Sequence, residues 1–349
     1  MVGFRGLGRG AGLAVLAAIV ALVVQPLAHK RISQVTWTTD VERILQRRCL
    51  TCHTTGGFGP MPLETFQEAR TWAKAIREEV LERRMPPWPA ARGFGDFIND
   101  RSLTPLEIEL LTAWADGGTP LGPPVVVAHD ARAPAPDPDR SSDLVVTVPN
   151  AHAVGALTER FELETGLVAD RWINRWEFRP GNRSIIEQAV LSIAPSTLIG
   201  TWTAGDGAVA YPAGVGQRLP AGSRLVLELH YRKSAAPQTD RSGVAFHFGA
   251  RPRHELRHRL LSCGTSSIDR DVEALAVTPR APDAGASIEV VARHADGRVE
   301  PLAVVPRYEP AYPIAYRFRN GVRLHRGTAI DVRSSSSACA AELDFVALQ

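Results

Sequence analysis

Cys49, Leu50, Thr51, Cys52 and His53 stand in the order C-x-x-C-H. Two thiols three residues apart suit addition across the two vinyl groups of a porphyrin, and the imidazole that follows is placed to bind the iron from one face. Two other chemistries use the same cysteine pair. A dithiol of the thioredoxin kind expects a strand–helix setting, whereas a helical pattern leads into this pair. A zinc site needs a second pair of ligands, and none follows nearby. The spacing therefore predicts one covalent c-type haem, attached at Cys49 and Cys52, with His53 as the proximal ligand of its iron.

That iron needs a sixth ligand. Of the three methionines, Met1 lies in the leader, which leaves Met61 and Met85. Met85 sits in Arg84-Met85-Pro86-Pro87-Trp88, where prolines stiffen an extended loop. A thioether ligand raises the reduction potential of the iron, which suits electron transfer. Met85 is the expected axial ligand. Met61, in Gly59-Pro60-Met61-Pro62, is its competitor, and either side chain also suits a core.

The elements that must hold these residues read as helices over 35–122. Thr39-Asp40-Val41-Glu42 has the form of a capping box, and Val41, Ile44 and Leu45 follow at helical spacing. A second helix is expected over 63–83, with Phe66, Trp72, Ala73, Ile76 and Val80 toward one side. A third starts at Thr104-Pro105-Leu106-Glu107, with proline at its first position, and stops at Gly117-Gly118. Residues 123–141 form a linker, rich in proline toward its end.

Beyond the linker the pattern alternates. Leu144 to Val148, Arg224 to Tyr231, Ser287 to Ala292 and Ala329 to Val332 read as strands, with Leu225, Leu227, Leu229 and Tyr231 on one face. Asp296-Gly297 and Asn320-Gly321 read as hairpin turns. The fold expected here is an all-β, jelly-roll-like antiparallel β-sandwich of two lobes, 142–252 and 253–349, behind a small all-α domain.

Compartment and partners follow from the ends and the charge. Arg5 and Arg9 precede an uncharged stretch, residues 10–28. It is a signal peptide or an uncleaved membrane anchor, within a leader of residues 1–30. Its length barely reaches the roughly 20 apolar residues of a full span, and Pro26 fits a cleavage site after Ala28 poorly. Either reading exports the rest to the periplasm or another extracytoplasmic space, and the anchor reading holds it to the inner membrane by residues 10–28. There Cys263 and Cys339 either pair or remain separate buried thiols. A net charge of +3, with no basic stripe, gives no reason to expect nucleic acid. The partner implied is an unidentified redox protein.

Residues 35–120 resemble a monohaem cytochrome c domain of a bacterial subtype in which that domain is fused to a second module. Cys49-Leu50-Thr51-Cys52-His53, Gly59-Pro60-Met61-Pro62-Leu63, Arg84-Met85-Pro86-Pro87-Trp88 and the helix opening at Thr104 carry the resemblance. Residues 142–349 resemble the ascorbate-dependent type II copper monooxygenases, the peptidylglycine and dopamine hydroxylase class. Here Asp170-Arg171-Trp172-Ile173, Arg179-Pro180-Gly181-Asn182-Arg183, Leu219-Pro220-Ala221-Gly222-Ser223 and Leu227-Glu228-Leu229-His230-Tyr231 carry it by their order.

That second resemblance implies two coppers on two lobes. One takes an adjacent His pair and the His of the L-x-L-x-H-Y strand; the other takes a His-x-His pair and a Met. This chain has Glu187 and Gln188 for the first pair, Arg280 and Pro282 for the second, and Leu343 near the Met position. Only His230 remains. Copper prefers several imidazoles, and Arg280 puts a fixed cation where a metal would sit. His230 then reads as a hydrogen-bonded core residue, and His247, His254, His258, His294 and His325 match no ligand position. The expectation is an exported electron-transfer cytochrome with a copper-free, non-catalytic docking module. Its rivals are an active copper monooxygenase, which would be an oxidoreductase receiving electrons from the haem domain, and a ligand-binding sandwich with the haem as sensor.

Overall fold

The computed structural model describes residues 35–124 and 142–348. The leader and most of the linker lie outside the described residues. Among those described, no helix is long and apolar enough to cross a membrane.

The chain enters through a π-helical turn, Trp37–Val41, that runs into helix α1, Glu42–Arg48. The cap falls at Thr36, not Thr39. Thr36 Oγ1 accepts from the Thr39 amide, and the Asp40 carboxylate accepts from the Thr36 amide at 2.9 Å. The wider turn moves the reciprocal partner from three residues on to four. The expected second helix is two: α2, Phe66–Thr71, opened by a Thr65–Glu68 capping box, and α3, Ala73–Leu81. Ala69, Ala73, Ile76 and Val80 make the buried stripe. Trp72 sits at the break between the helices, which turns it off that stripe to 42% exposure. Helix α4, Pro105–Asp116, has the expected Thr104–Glu107 box, N-terminal proline and Gly117 end. These helices close on Trp37, Val41, Leu45, Leu111 and Trp114. Burying each such side chain contributes roughly 1.5–3 kcal/mol.

Most of the rest is sheet in two facing pairs, antiparallel except where His254–Glu255 runs parallel to Val215–Leu219. In the first lobe, Thr158–Glu164, Arg224–Tyr231, Ile186–Ile193 and Thr197–Thr203 form one sheet in that order. Its partner orders Leu144–Thr147, Gly243–Gly249, Arg171–Arg179, Val215–Leu219 and His254–Glu255. The alternation in Arg224–Tyr231 sends Leu225, Leu227, Leu229 and Tyr231 into the shared core, with Trp176, Phe178 and Phe246 opposite. In the second lobe, Arg257–Ser262, Ala340–Ala347, Val272–Arg280 and Tyr316–Leu324 face Gly264–Ser267, Ala329–Ser334, Ile288–Arg293 and Val299–Val305. Cys263 and Cys339 are disulfide-bonded.

Asp296-Gly297 turns the hairpin between Ile288–Arg293 and Val299–Val305. Asn320-Gly321 does not turn a hairpin. It lies inside the strand Tyr316–Leu324, where Val322 and Arg317 oppose Ala274 and Ala276, so the residues between them bulge out. A Cβ on Gly321 would collide with the Glu273 side chain, so glycine serves close approach at this bulge.

The helical part is not separate from the sheets. Trp88, Ala90 and Phe97 pack into the core of the second lobe, where Phe97 bridges Phe318 and the Ala91 amide donates to the Val304 carbonyl at 2.7 Å. Phe58 packs against the core of the first lobe.

Candidate functional site

Cys49 caps the C-terminus of α1, its amide donating to the Leu45 carbonyl. The chain then turns tightly, with the Cys52 and His53 amides both donating to the Cys49 carbonyl at 3.1 and 2.9 Å. A helix therefore precedes the cysteine pair, not the strand that a thioredoxin-like dithiol expects. Neither cysteine is in a disulfide, and both are half-buried. Burial above all pushes the Cys49 thiol up to about 12, helped by Cys52. Burial likewise raises Cys52, against the pull of the Arg101 cation. Both are neutral thiols at pH 7.

Residues 53–63 fold back over His53. The Gly59 amide donates to the Cys52 carbonyl and the Leu63 amide to the His53 carbonyl. His53 is 9% exposed, and its Nδ1 lies 3.0 Å from the Met61 carbonyl. A carbonyl only accepts, so Nδ1 carries the proton and Nε2 the lone pair. This is the arrangement that orients an imidazole toward a metal. Gly59 permits it, because a Cβ there would stand 2.5 Å from His53 Nδ1.

The methionines separate at this point. Met61 uses its carbonyl behind His53, and its side chain packs on the helical core. Met85 follows α3, is 37% exposed, and lines a small cavity with Val80, Leu103 and Ile108. The cysteine turn flanks the same stretch of chain, since Arg48, beside Cys49, bonds the Asp100 carbonyl and Glu107.

Both lobes hold the cysteine turn. Gly205, with φ of +89°, abuts it: a Cβ there would meet Cys52 Sγ at 2.8 Å. Arg101 donates to the Ala204 carbonyl at 3.2 Å and pairs with Asp206, both side chains largely buried. Asp206 also accepts from the Thr203 amide and hydroxyl. Arg232 donates to the Phe58 carbonyl at 2.9 Å and lies 4.5 Å above the Phe58 ring, which meets Tyr312 edge-on. Arg101, Gly205, Asp206, Arg232 and Tyr312 were not foreseen. They act through contacts distant in sequence, and no local spacing marks them.

The would-be copper positions divide. Gln188 is the cross-strand neighbour of His230, and Glu187 is close enough for His230 and Arg232 to oppose the rise that burial gives its carboxyl. His230 is not a core residue. Its side chain is 32% exposed and bonds Glu228 at 2.9 Å and Thr158 at 3.3 Å. The odd-numbered residues of its strand take the core face, so His230 points the other way. Arg280 pairs with Glu342 and reaches Thr201 of the first lobe, each at 3.4 Å. Leu343 does not join it. Leu343 is buried in the second core, facing away from Arg280 and Glu342, and Pro282 is exposed past the strand end.

Four of the other histidines are tied locally, and His247, whose imidazole burial and Arg175 hold below its ordinary pKa, is not among them. His258 bonds Asp344 at 2.7 Å, His294 bonds Glu300 at 3.0 Å, His325 bonds Asp271 at 3.3 Å, and His254 meets the Ala347 carbonyl at 3.3 Å. Among the described residues no group of three or more His, Cys, Asp or Glu is arranged to hold a metal ion. A c-type haem asks for no such group, only one imidazole, one thioether and two thiols.

No family model matches the chain, and no curated protein matches it. Among solved structures it is similar to the major capsid protein P2 of bacteriophage PM2, at 11% identity and TM-score 0.31, over 59% of this chain and 97% of that one. It is also similar to A223, a turret protein of Sulfolobus turreted icosahedral virus, at 13% identity and TM-score 0.17, over 59% of this chain and all of the other. Likenesses this remote carry no argument.

Proposed function

We propose that the chain is an exported c-type cytochrome that transfers electrons, its β-sandwich lobes serving as a non-catalytic docking module. The observation that carries this reading is the hydrogen bond from His53 Nδ1 to the Met61 carbonyl, directly behind two unpaired thiols. It leaves Nε2 as the ligand atom. Cys49 and Cys52 would hold the porphyrin by adding each S–H across one vinyl group. Met85 would supply a thioether as the second protein ligand of the iron. A haem so held supplies a one-electron iron couple.

The surrounding residues have separate tasks. The Met61 carbonyl fixes the tautomer and the ring plane of His53, and Gly59 makes room for that packing. Arg101, Asp206, Arg232 and Phe58 clamp the cysteine turn between the lobes, which limits the reorganisation an electron transfer must drive. The disulfide supports an oxidising, extracytoplasmic compartment. In the copper-like positions, Arg280 is occupied by Glu342 and Leu343 by the core. These pairings support a scaffold that works without copper.

The full chain, exported and matured, should show a haem spectrum that cycles reversibly between oxidised and reduced forms with ascorbate and ferricyanide. It should do so with no added copper. A spectrum that bleaches, or cycles only when copper is present, would overturn the electron-transfer reading.

A further inference from the structure

We propose that the second lobe carries a binding site for a small amphipathic carboxylate, between its two sheets at the edge strand Arg257–Ser262. The inference is independent of the haem. A cavity of about 380 Å³ opens there, within the roughly 300–1,000 Å³ of small-molecule sites. Its floor is apolar: Leu343, Phe345 and Val272. Its walls carry Arg257, Arg259 and Arg270, with Asp269 the one acid beside them.

The register shows why these arginines matter. Arg257 pairs with Phe345 and Arg259 with Leu343. Directly opposed residues share a face, and Leu343 is wholly buried in the core. Arg257 and Arg259 therefore lie on the core face of the strand, where alternation calls for apolar residues and where Leu261 next supplies one. Arg259 reaches across to the facing sheet and donates to the Ser267 carbonyl at 3.0 Å. Arg257 has no ion-pair partner among the described residues. Arg270 pairs with Asp269 at 3.1 Å. Net positive charge thus stands at the rim of an apolar pocket.

A carboxylate fits that rim, because a guanidinium presents two parallel donors matched to two carboxylate oxygens. An aryl ring or medium alkyl chain fits the floor. Inward charges on an edge strand also discourage strand addition, but that role needs neither a cavity nor an apolar floor.

The test is calorimetric titration of the full chain with benzoate and octanoate, against benzyl alcohol and octanol as neutral counterparts. The carboxylates should bind and the alcohols bind at least about tenfold more weakly, as loss of a charge-assisted hydrogen bond implies. Arg257→Gln and Arg259→Gln should each weaken carboxylate binding by about 10–100-fold. The comparison of ligands on the unaltered chain stands even if a variant misfolds. Equal binding of acids and alcohols, or no binding at millimolar concentration, would overturn the proposal. So would variants that keep full affinity while the chain begins to self-associate.

Discussion

Replacing Cys263 and Cys339 together by alanine should destabilise the second lobe more than any other pair of surface changes. The bridge spans 76 residues. Constraining a loop of that length in the unfolded chain gives about 4.5 kcal/mol at 25 °C on the chain-entropy relation. The two cysteines flank paired strand ends, with Ser262 opposite Ala340, and the Cys263 amide donates to the Cys339 carbonyl at 3.1 Å. That hydrogen bond survives the substitution, so the folded geometry changes little and the loss falls on the unfolded side. Native bridges removed from secreted domains typically cost about 2–5 kcal/mol, which brackets the same value. Urea unfolding of the full chain, followed by far-ultraviolet circular dichroism, measures it. The double variant should lose more than about 2 kcal/mol, and the unaltered chain under dithiothreitol should behave like the variant. A loss below about 1 kcal/mol, or indifference to the reductant, would refute the entropic argument and weaken the case for an oxidising compartment.

Met85→Ala should abolish the sulfur-to-iron charge-transfer absorption of the oxidised protein, and Met61→Ala should leave it intact; the reverse pattern would move the ligand to Met61. Arg101→Met strands Asp206 at the contact between the cysteine turn and the first lobe. Breaking a buried pair costs about 3–5 kcal/mol; the hydrogen bonds that Asp206 keeps from Thr203 should hold the loss to about 2–3 kcal/mol in urea unfolding, and no change would mean the clamp carries nothing. Added copper should not raise the melting temperature of the full chain beyond what surface histidines give. Losing even one partner behind a ligand weakens metal affinity by about 10–100-fold, and here five of the six positions at which the resemblance implies copper ligands lack the ligand type itself. Two tightly bound coppers per chain would contradict this.

The sequence made some features legible because they are local. The Thr104–Glu107 box, the strand Arg224–Tyr231 and the Asp296-Gly297 turn each follow from spacing within a few residues. What escaped reading depends on distant partners or on small shifts of phase. A π turn moved the first cap to Thr36, and a helix break exposed Trp72. A bulge absorbed Asn320-Gly321, although the dipeptide has the composition of a hairpin turn. Strand parity, visible in Leu225, Leu227 and Leu229, already requires His230 to leave the core. At the candidate site the cysteines and His53 were legible, whereas the support from Met61, Gly205, Arg101 and Arg232 needed the fold to bring it there.

Covalent attachment of haem at Cys49 and Cys52 is tested most directly by its survival of denaturation. The full chain, produced with export and haem-attachment machinery, is to be denatured, run on a gel and stained for haem peroxidase activity beside Cys49→Ala/Cys52→Ala. A stained band is expected at the position of the chain and none for the double variant. A colourless band from correctly exported protein, or staining that persists without both cysteines, would contradict it.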